Sequence, residues 1–443
     1  MKNTNLTICM VLGILVLTSV SDVFSQNWPQ WRGLNANGVA PAGNPPIEWN
    51  ESKNVKWKVN IPGIGHATPI IWEDQIFLLS AVPTDKKAKI EKTEEEQDQN
   101  QWMSPTKTDY IHQFVVLCIN RNSGEVRWQT TVREELPHSH THQFGSWASS
   151  SPVTDGINIY AYFGSHGLYC LNLEGEIIWE RDLGKMEKVM SFGEGSSPFL
   201  YENKLIILRD HEGQSFLHVL NKKTGKDIMV IERDEISSWS TPIIVECEGK
   251  NQIITSATNK VRSYDLVSGE VIWECSGLTR NVIPSPVSAN RMIYLMSGFR
   301  GSALLAIDLL KAKGDITDSD AIVWKYDKNT SYAPSPVLMD NKLYFLKLNN
   351  GYLSCLDAKD GTEYYTNQKL EGIQNIFTSP VGVKDRIYIA GNNGTFIVVK
   401  HGNDFKVLSQ NTLDDSFYAS PVVIGDNLYL RGLKYLYCIS MED

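Results

Sequence analysis

Residues 150–184 read SSPVTDGINIYAYFGSHGLYCLNLEGEIIWERDLG. Ser151-Pro152-Val153 opens a short strand, and Thr154-Asp155-Gly156 turns the chain. Ile157 to Phe163 returns it with alternating apolar and aromatic residues, and Gly164 to Gly167 turns it again. Leu168–Asn172 is a third strand, Glu174-Gly175 a third turn, and Glu176–Arg181 a fourth strand carrying Trp179. Strands of this length, joined by Gly, Asp and Asn turns, make an antiparallel meander. A single sheet of four short strands cannot cover both of its faces.

The same unit recurs along the chain. Ser/Thr-Pro pairs stand at Thr68-Pro69, Ser151-Pro152, Ser197-Pro198, Thr241-Pro242, Ser285-Pro286, Ser335-Pro336, Ser379-Pro380 and Ser420-Pro421. The steps between the prolines are 83, 46, 44, 44, 50, 44 and 41 residues. A period in the forties with four strands per period predicts an all-β, eight-bladed β-propeller of four-stranded antiparallel blades. Gly-Glu-Val/Ile-X-Trp recurs at Gly124–Trp128, Gly175–Trp179 and Gly269–Trp273, with aromatics in the same place at Trp57, Trp324 and Tyr365. Flat rings at that point suit packing between adjacent blades. The last repeat stops after its third strand, at 434–440, while NVKWKVNI at 54–61 precedes the first Ser/Thr-Pro pair. That orphan strand is expected to complete blade eight and remove its open edge.

The chain divides into residues 1–25, 26–53 and 54–443. Lys2, the apolar run Leu6–Val20 and Val23-Phe24-Ser25 read as a signal peptide cleaved before Gln26. Cys9 lies inside the apolar run and no cysteine follows it closely, so an exported protein without a lipid anchor is expected, periplasmic or secreted. No transmembrane segment is expected after cleavage. Residues 26–53 form a Trp- and Pro-rich lead-in expected to pack irregularly on the ring. Residues 83–109 read as a charged loop inserted in blade one. The net charge of −9 and pI of about 5.6 argue against a nucleic-acid partner. Cys118, Cys170, Cys355 and Cys438 share a third-strand position on separate blades, too far apart to bridge. Cys247 and Cys275 share blade four but stand at different ends of it.

Propeller topology puts the links between blades on one face with the second-to-third-strand turns. Six of the nine histidines fall there: His66, His138, His140, His142, His166 and His211. Asp210, Trp239, Arg280, Arg300, Asn392 and Arg431 join them, and this face is the expected ligand-binding surface. His138-Ser139-His140-Thr141-His142 places three imidazoles two residues apart, either a metal site or a polar loop. Asp210 beside His211 reads as an acid/base pair or a charged turn. Arg233, Arg280, Arg300 and Arg431 suit a carboxylate, a phosphate or an acidic sugar, or ordinary salt bridges. No nucleophile motif is present, and the catalytic residues, if any, are not readable.

The repeat Ser-Pro-Val…Asp-Gly…Ile-Tyr…Gly-Leu-Tyr-Cys-Leu-Asn…Gly-Glu-Ile-Ile-Trp resembles the PQQ-like, quinoprotein-type β-propeller repeat, across about Trp28 to Met441. The resemblance implies two kinds of function. Quinoprotein alcohol and glucose dehydrogenases hold pyrroloquinoline quinone (PQQ) and Ca²⁺ at the propeller centre. The alcohol dehydrogenase branch stacks the quinone on a disulfide of adjacent cysteines, and no adjacent Cys pair occurs here. The outer-membrane assembly factor BamB is instead a scaffold. Taken together, the expectation is an exported binding protein that takes a protein or saccharide partner in the cell envelope. The alternative is a PQQ- or metal-dependent oxidoreductase acting on alcohols or sugars in the periplasm, with Arg300, Arg431 and Asn392 converging on the axis.

Overall fold

The computed structural model describes residues 27–88 and 108–441. The expected signal peptide and the middle of the charged insertion lie outside the described residues. Eight sheets are arranged as the repeats predict. Blade two, which contains the stretch quoted above, consists of Val153–Thr154, Asn158–Tyr162, Leu168–Asn172 and Ile177–Arg181 in consecutive antiparallel order. Each other blade repeats this order from the axis outward.

Closure follows the orphan strand. Val55–Asn60 pairs antiparallel with Tyr435–Ile439, with Val55 opposite Ile439 and Asn60 opposite Tyr435. Its burial alternates along the strand, as expected of an outermost strand with one face on a neighbour. Trp57, Val55 and Val59 pack on the core formed by the last and first blades.

The Ser/Thr-Pro pairs perform a second closure at the axis. The backbone N–H of Thr68 donates to the Ser151 hydroxyl, and Ser151, Ser197, Thr241, Ser285, Ser335 and Ser379 each donate in turn to the next repeat. Ser420 donates back to Thr68. All eight bonds measure 2.8–3.0 Å and form an unbroken circle. First strands crowd at the axis, where a buried N–H has no ladder partner on the inner side. The hydroxyl supplies one, and the following proline has no N–H to satisfy.

The tryptophans pack between blades as expected. The indole N–H of Trp128 donates to the Leu173 carbonyl of blade two at 2.9 Å, and Trp57, Trp179 and Trp324 make the same bond one blade on, at 3.1 Å. The ring lies over a glycine of the next blade. A Cβ on Gly175 would stand 2.7 Å from Trp128 Cδ2, and Gly124, Gly225 and Gly361 press equally close on Trp57, Trp179 and Trp324. The Gly and the Trp of the repeated motif are therefore two halves of one inter-blade contact. Each third-strand cysteine sits opposite such a ring, Cys118 to Trp128, Cys170 to Trp179, Cys355 to Tyr365 and Cys438 to Trp57. All six described cysteines are buried and free, Cys247 and Cys275 included.

Two details differ from expectation. The insertion in blade one starts later than residue 83: Gln75–Lys87 is one long strand paired with Tyr110–Asn120, and Ala88 N–H still reaches the Asp109 carbonyl. A proline and three consecutive charged residues over 83–88, with no apolar alternation, hid an exposed strand end. Blade four has a fifth strand, Gly314–Asp315, parallel to Val271–Cys275. It comes from the extra residues in the 50-residue repeat that follows.

The lead-in crosses the face opposite the links. Trp28 bridges Ile71, Pro29 accepts from Thr154, and Ala40 donates to Gly382. Arg32 is buried, and its guanidinium donates to the carbonyls of Pro380 at 2.9 Å, Asn37 at 3.0 Å and Pro336. Pro336 and Pro380 are one residue beyond the hydroxyl circle, so Arg32 closes the axis just below it. Burial lowers this guanidinium to about 9.

Candidate functional site: an axial cavity with an aromatic wall

A cavity of about 430 Å³ lies on the axis above Arg32. Trp31, next to Arg32, lines its base with six hydroxyl residues of the circle, Thr68, Ser151, Ser197, Thr241, Ser379 and Ser420. The walls come from all eight links. The residue two before each hydroxyl lines the cavity in every repeat: His66, Ser149, Gly195, Trp239, Ile283, Ala333, Phe377 and Tyr418. In an extended chain, residues two apart point the same way. The backbone that aims the hydroxyl at the axis therefore aims this position at the space above it.

The wall is uneven. Phe377, Tyr418 and His66 belong to consecutive repeats and stack face to face along the rim. Tyr418 lies on His66 with centroids 4.2 Å apart and planes at 8°, and on Phe377 at 5.5 Å and 23°. Phe144 reaches over from the next link to within 5.1 Å of Phe377. Past His66, the next two repeats carry Ser149 and Gly195, and the neighbouring lining residues there are Ser146 and Glu194. Glu194 accepts the Ser165 N–H at 2.6 Å and also binds its hydroxyl. Asn349 and Asn375 add side-chain amides, and within the protein Asn349 uses its Oδ1 for the Ala333 N–H.

The charge state follows from burial. Desolvation, aided by the charge of Arg431 behind it, lowers His66 to about 3, and desolvation also lowers His142. Both rings are neutral at pH 7. No lysine or arginine lines the cavity among the described residues.

The residues singled out from sequence are placed as follows. His142 and Trp239 line the cavity. His142 Nδ1 accepts the Phe144 N–H at 3.1 Å, and the Trp239 indole donates to the Gly193 carbonyl at 2.8 Å. Lys188 lies 5.0 Å over the Trp239 ring, and burial lowers it to about 8. His138 turns away, with Nε2 3.2 Å from the Met186 carbonyl, and His140 is half-buried in the same link. The three imidazoles therefore do not converge, and among the described residues no group of three or more His, Cys, Asp or Glu is placed to hold a metal ion. His166 is buried on Phe114, with Nδ1 2.7 Å from Glu135 Oε1.

Asp210 is not beside His211 in any acid/base sense. It forms a fully buried ion pair with Arg233, at 2.7 Å to Nε, and also accepts the Ser238 hydroxyl. His211 Nδ1 instead accepts the N–H groups of Glu187 and Gly213. Arg431 is buried as an inter-blade staple, donating to the Ala67 carbonyl at 2.9 Å and the Leu79 carbonyl at 2.6 Å. Arg280 and Arg300 are exposed, Arg300 over the Phe299 ring at 5.3 Å. Asn392 is tied through its N–H to the carbonyls of Gln374 and Asn375. The convergence of Arg300, Arg431 and Asn392 on the axis is not found, because the arginines are used for packing or point to solvent.

These facts decide how PQQ and Ca²⁺ would fit. The quinone carries several carboxylates, and among the described residues no cationic side chain lines the cavity to meet them. Ca²⁺ takes six to eight oxygen ligands with carboxylates among them. Among the described residues Glu194 is the one acidic lining residue, and it is already bonded to Ser165. The donor set does not fit the pair.

Residues 112–367 match the family model described as outer membrane protein assembly factor BamB. No curated protein sequence matches the chain. Among solved structures, BamB from Moraxella catarrhalis aligns with a TM-score of 0.52 at 13% identity, covering 82% of this chain and 97% of that one. A europium-containing methanol dehydrogenase aligns at 0.62 and 10% identity, covering 93% and 90%. The quinohemoprotein alcohol dehydrogenase of Comamonas testosteroni aligns at 0.51 and 10%, covering 96% and 82%. At these identities the likeness is one of fold.

Proposed function

From the premise that the chain belongs to the PQQ-like propeller family described as outer membrane protein assembly factor BamB, we propose that it is an exported binding protein. It takes its partner in the cell envelope through the face on which the axial cavity opens. The observation that carries this reading is the cavity's lining: aromatic rings from several links beside neutral hydrogen-bonding groups, with no cation to hold an acidic cofactor. Pockets of this size, mostly apolar with a few placed polar groups, are the usual form of a binding site. The likeness to dehydrogenases supports the architecture of the ring and supplies no matching donor set.

The test is site-specific photo-crosslinking in the producing cell. A photoreactive phenylalanine analogue at Phe144 or Tyr332, on the cavity face, is expected to give discrete adducts. The same analogue at Asp360, in a turn on the opposite face, is expected to give none. Equal adduct patterns from the two faces would sink the reading. So would a rise in unfolding temperature with PQQ and Ca²⁺ accompanied by dye-linked oxidation of an alcohol, since a ligand at a hundred times its Kd adds about 2.7 kcal/mol.

A further inference from the structure

We infer that the axial cavity is a saccharide-binding site, taking an uncharged sugar ring against the Phe377–Tyr418–His66 wall. The inference rests on the binding reading above and adds the chemical class of the ligand.

Three features of the cavity point the same way. The first is the aromatic lining. Phe377, Tyr418 and His66 stack face to face, with 23° and 8° between successive rings, and all three border the cavity. A pyranose carries C–H groups that such apolar rings desolvate without requiring hydrogen bonds. In an eight-membered ring each repeat stands across from the fourth one on, so Trp239 lies opposite Tyr418 and supplies a second aromatic surface.

The second feature is what lies between these surfaces. Ser146, Ser149, Asn349, Asn375 and Glu194 supply hydroxyls, side-chain amides and an acid at intervals around the rim. A sugar carries several hydroxyls that both donate and accept, and needs partners of both kinds around its edge. An aromatic side chain of a protein partner would use the aromatic rings alone and make no use of the hydrogen-bonding capacity these groups keep beyond their internal bonds. Burying polar groups against such a side chain would also cost the hydrogen bonds they make to water.

The third feature is charge. The neutral histidines and the absence of lysine and arginine from the lining, among the described residues, leave no cationic side chain to pair directly with a carboxylate or phosphate. The acidic Glu194 disfavours one. An acidic sugar, one of the ligands the arginines suggested from sequence, is therefore not the expected class.

The experiment uses the full chain purified from its host and a panel of neutral tetrasaccharides: cellotetraose, maltotetraose, xylotetraose and mannotetraose. Tetragalacturonate serves as the charged counterpart. Tryptophan fluorescence reports on Trp239 and Trp31, and calorimetry gives the affinity. At least one neutral probe is expected to bind with a Kd of about 1 mM or tighter and to change the fluorescence. Tyr418→Leu should weaken binding at least tenfold while Ile157→Ala, on the opposite face, leaves it unchanged. Asn375→Gly, an exposed change that keeps the left-handed backbone at this position, should weaken binding several-fold even if Tyr418→Leu folds poorly.

Failure of all four neutral probes to bind would overturn the inference. So would binding insensitive to both cavity substitutions, or equal affinity for tetragalacturonate. Face-specific crosslinks to a protein without any oligosaccharide binding would keep the binding reading and discard the saccharide.

Discussion

Ser420 donates its backbone N–H to the hydroxyl of Thr68 at 3.0 Å, across 352 residues of chain. This single bond joins the last repeat to the first within the axial circle. Thr68→Val keeps the shape and removes the acceptor, leaving a buried N–H without a partner. The expected loss is about 1–3 kcal/mol, read as a lower urea midpoint at unchanged slope. Ser197→Ala should cost a similar amount, because each position of the circle does the same work.

Gly175 tests the contact between blades. Its φ is +90° and a Cβ there would meet the Trp128 ring at 2.7 Å. Gly175→Ala combines backbone strain with overpacking, and about 2–4 kcal/mol of destabilisation is expected. Trp128→Ala in the same chain should recover part of this, since the ring no longer opposes the methyl. A double-mutant cycle measures the coupling.

Asp210 was a candidate acid/base group, and its burial with Arg233 gives a different expectation. Asp210→Asn leaves a buried guanidinium without its counter-charge and should cost about 3–5 kcal/mol. Asp210→Asn with Arg233→Met should cost less than Asp210→Asn alone. Binding at the cavity by whatever folded fraction remains should be unchanged, as neither residue lines it.

His66 makes stability fall on acidification. Its folded pKa of about 3 lies below its ordinary value of 6.5, so the unfolded chain takes up a proton before the folded one does. Stability from this group is complete above pH 6.5 and is lost as pH falls toward 3. At pH 5 the loss is about 2 kcal/mol as an upper figure, because the ring is partly open to water. His66→Phe keeps the stack on Tyr418 and should flatten the pH dependence of unfolding between pH 7 and 5. His112, His142, His166, His211, His218 and His401 are lowered by burial in the same direction, so the slope should shrink without vanishing.

The ring could be read from the sequence because its rules are local and repeat. A Ser/Thr-Pro pair, a Gly and an aromatic ring each occupy one place per period, and each has one packing partner one blade away. The face was legible for the same reason, since strand count alone sorts the loops. The individual site residues were less so. His138, Asp210 and Arg431 stood out by chemistry, yet whether a polar side chain faces the axis or a neighbouring blade depends on packing across repeats. Phe144, Phe192, Tyr332, Phe377 and Tyr418 were passed over because aromatic residues near blade ends usually read as core. A signal for several of them was present in the spacing: the position two before each hydroxyl lines the cavity in all eight repeats. Reading that column alone would have found His66, Trp239, Phe377 and Tyr418 together.

The pairing of Val55 with Ile439 also fixes an order of events during synthesis. Blades one to seven can form in turn as each repeat is made, since each contacts chiefly its neighbours. The strand at Val55–Asn60 is made first but has no partner until Tyr435–Ile439 is made. A chain stopped anywhere before that point keeps an unpaired edge on each side of the gap, open to association with other chains. Closure of the circle thus waits on one late segment: the ring has no open edge only once Tyr435–Ile439 has been made.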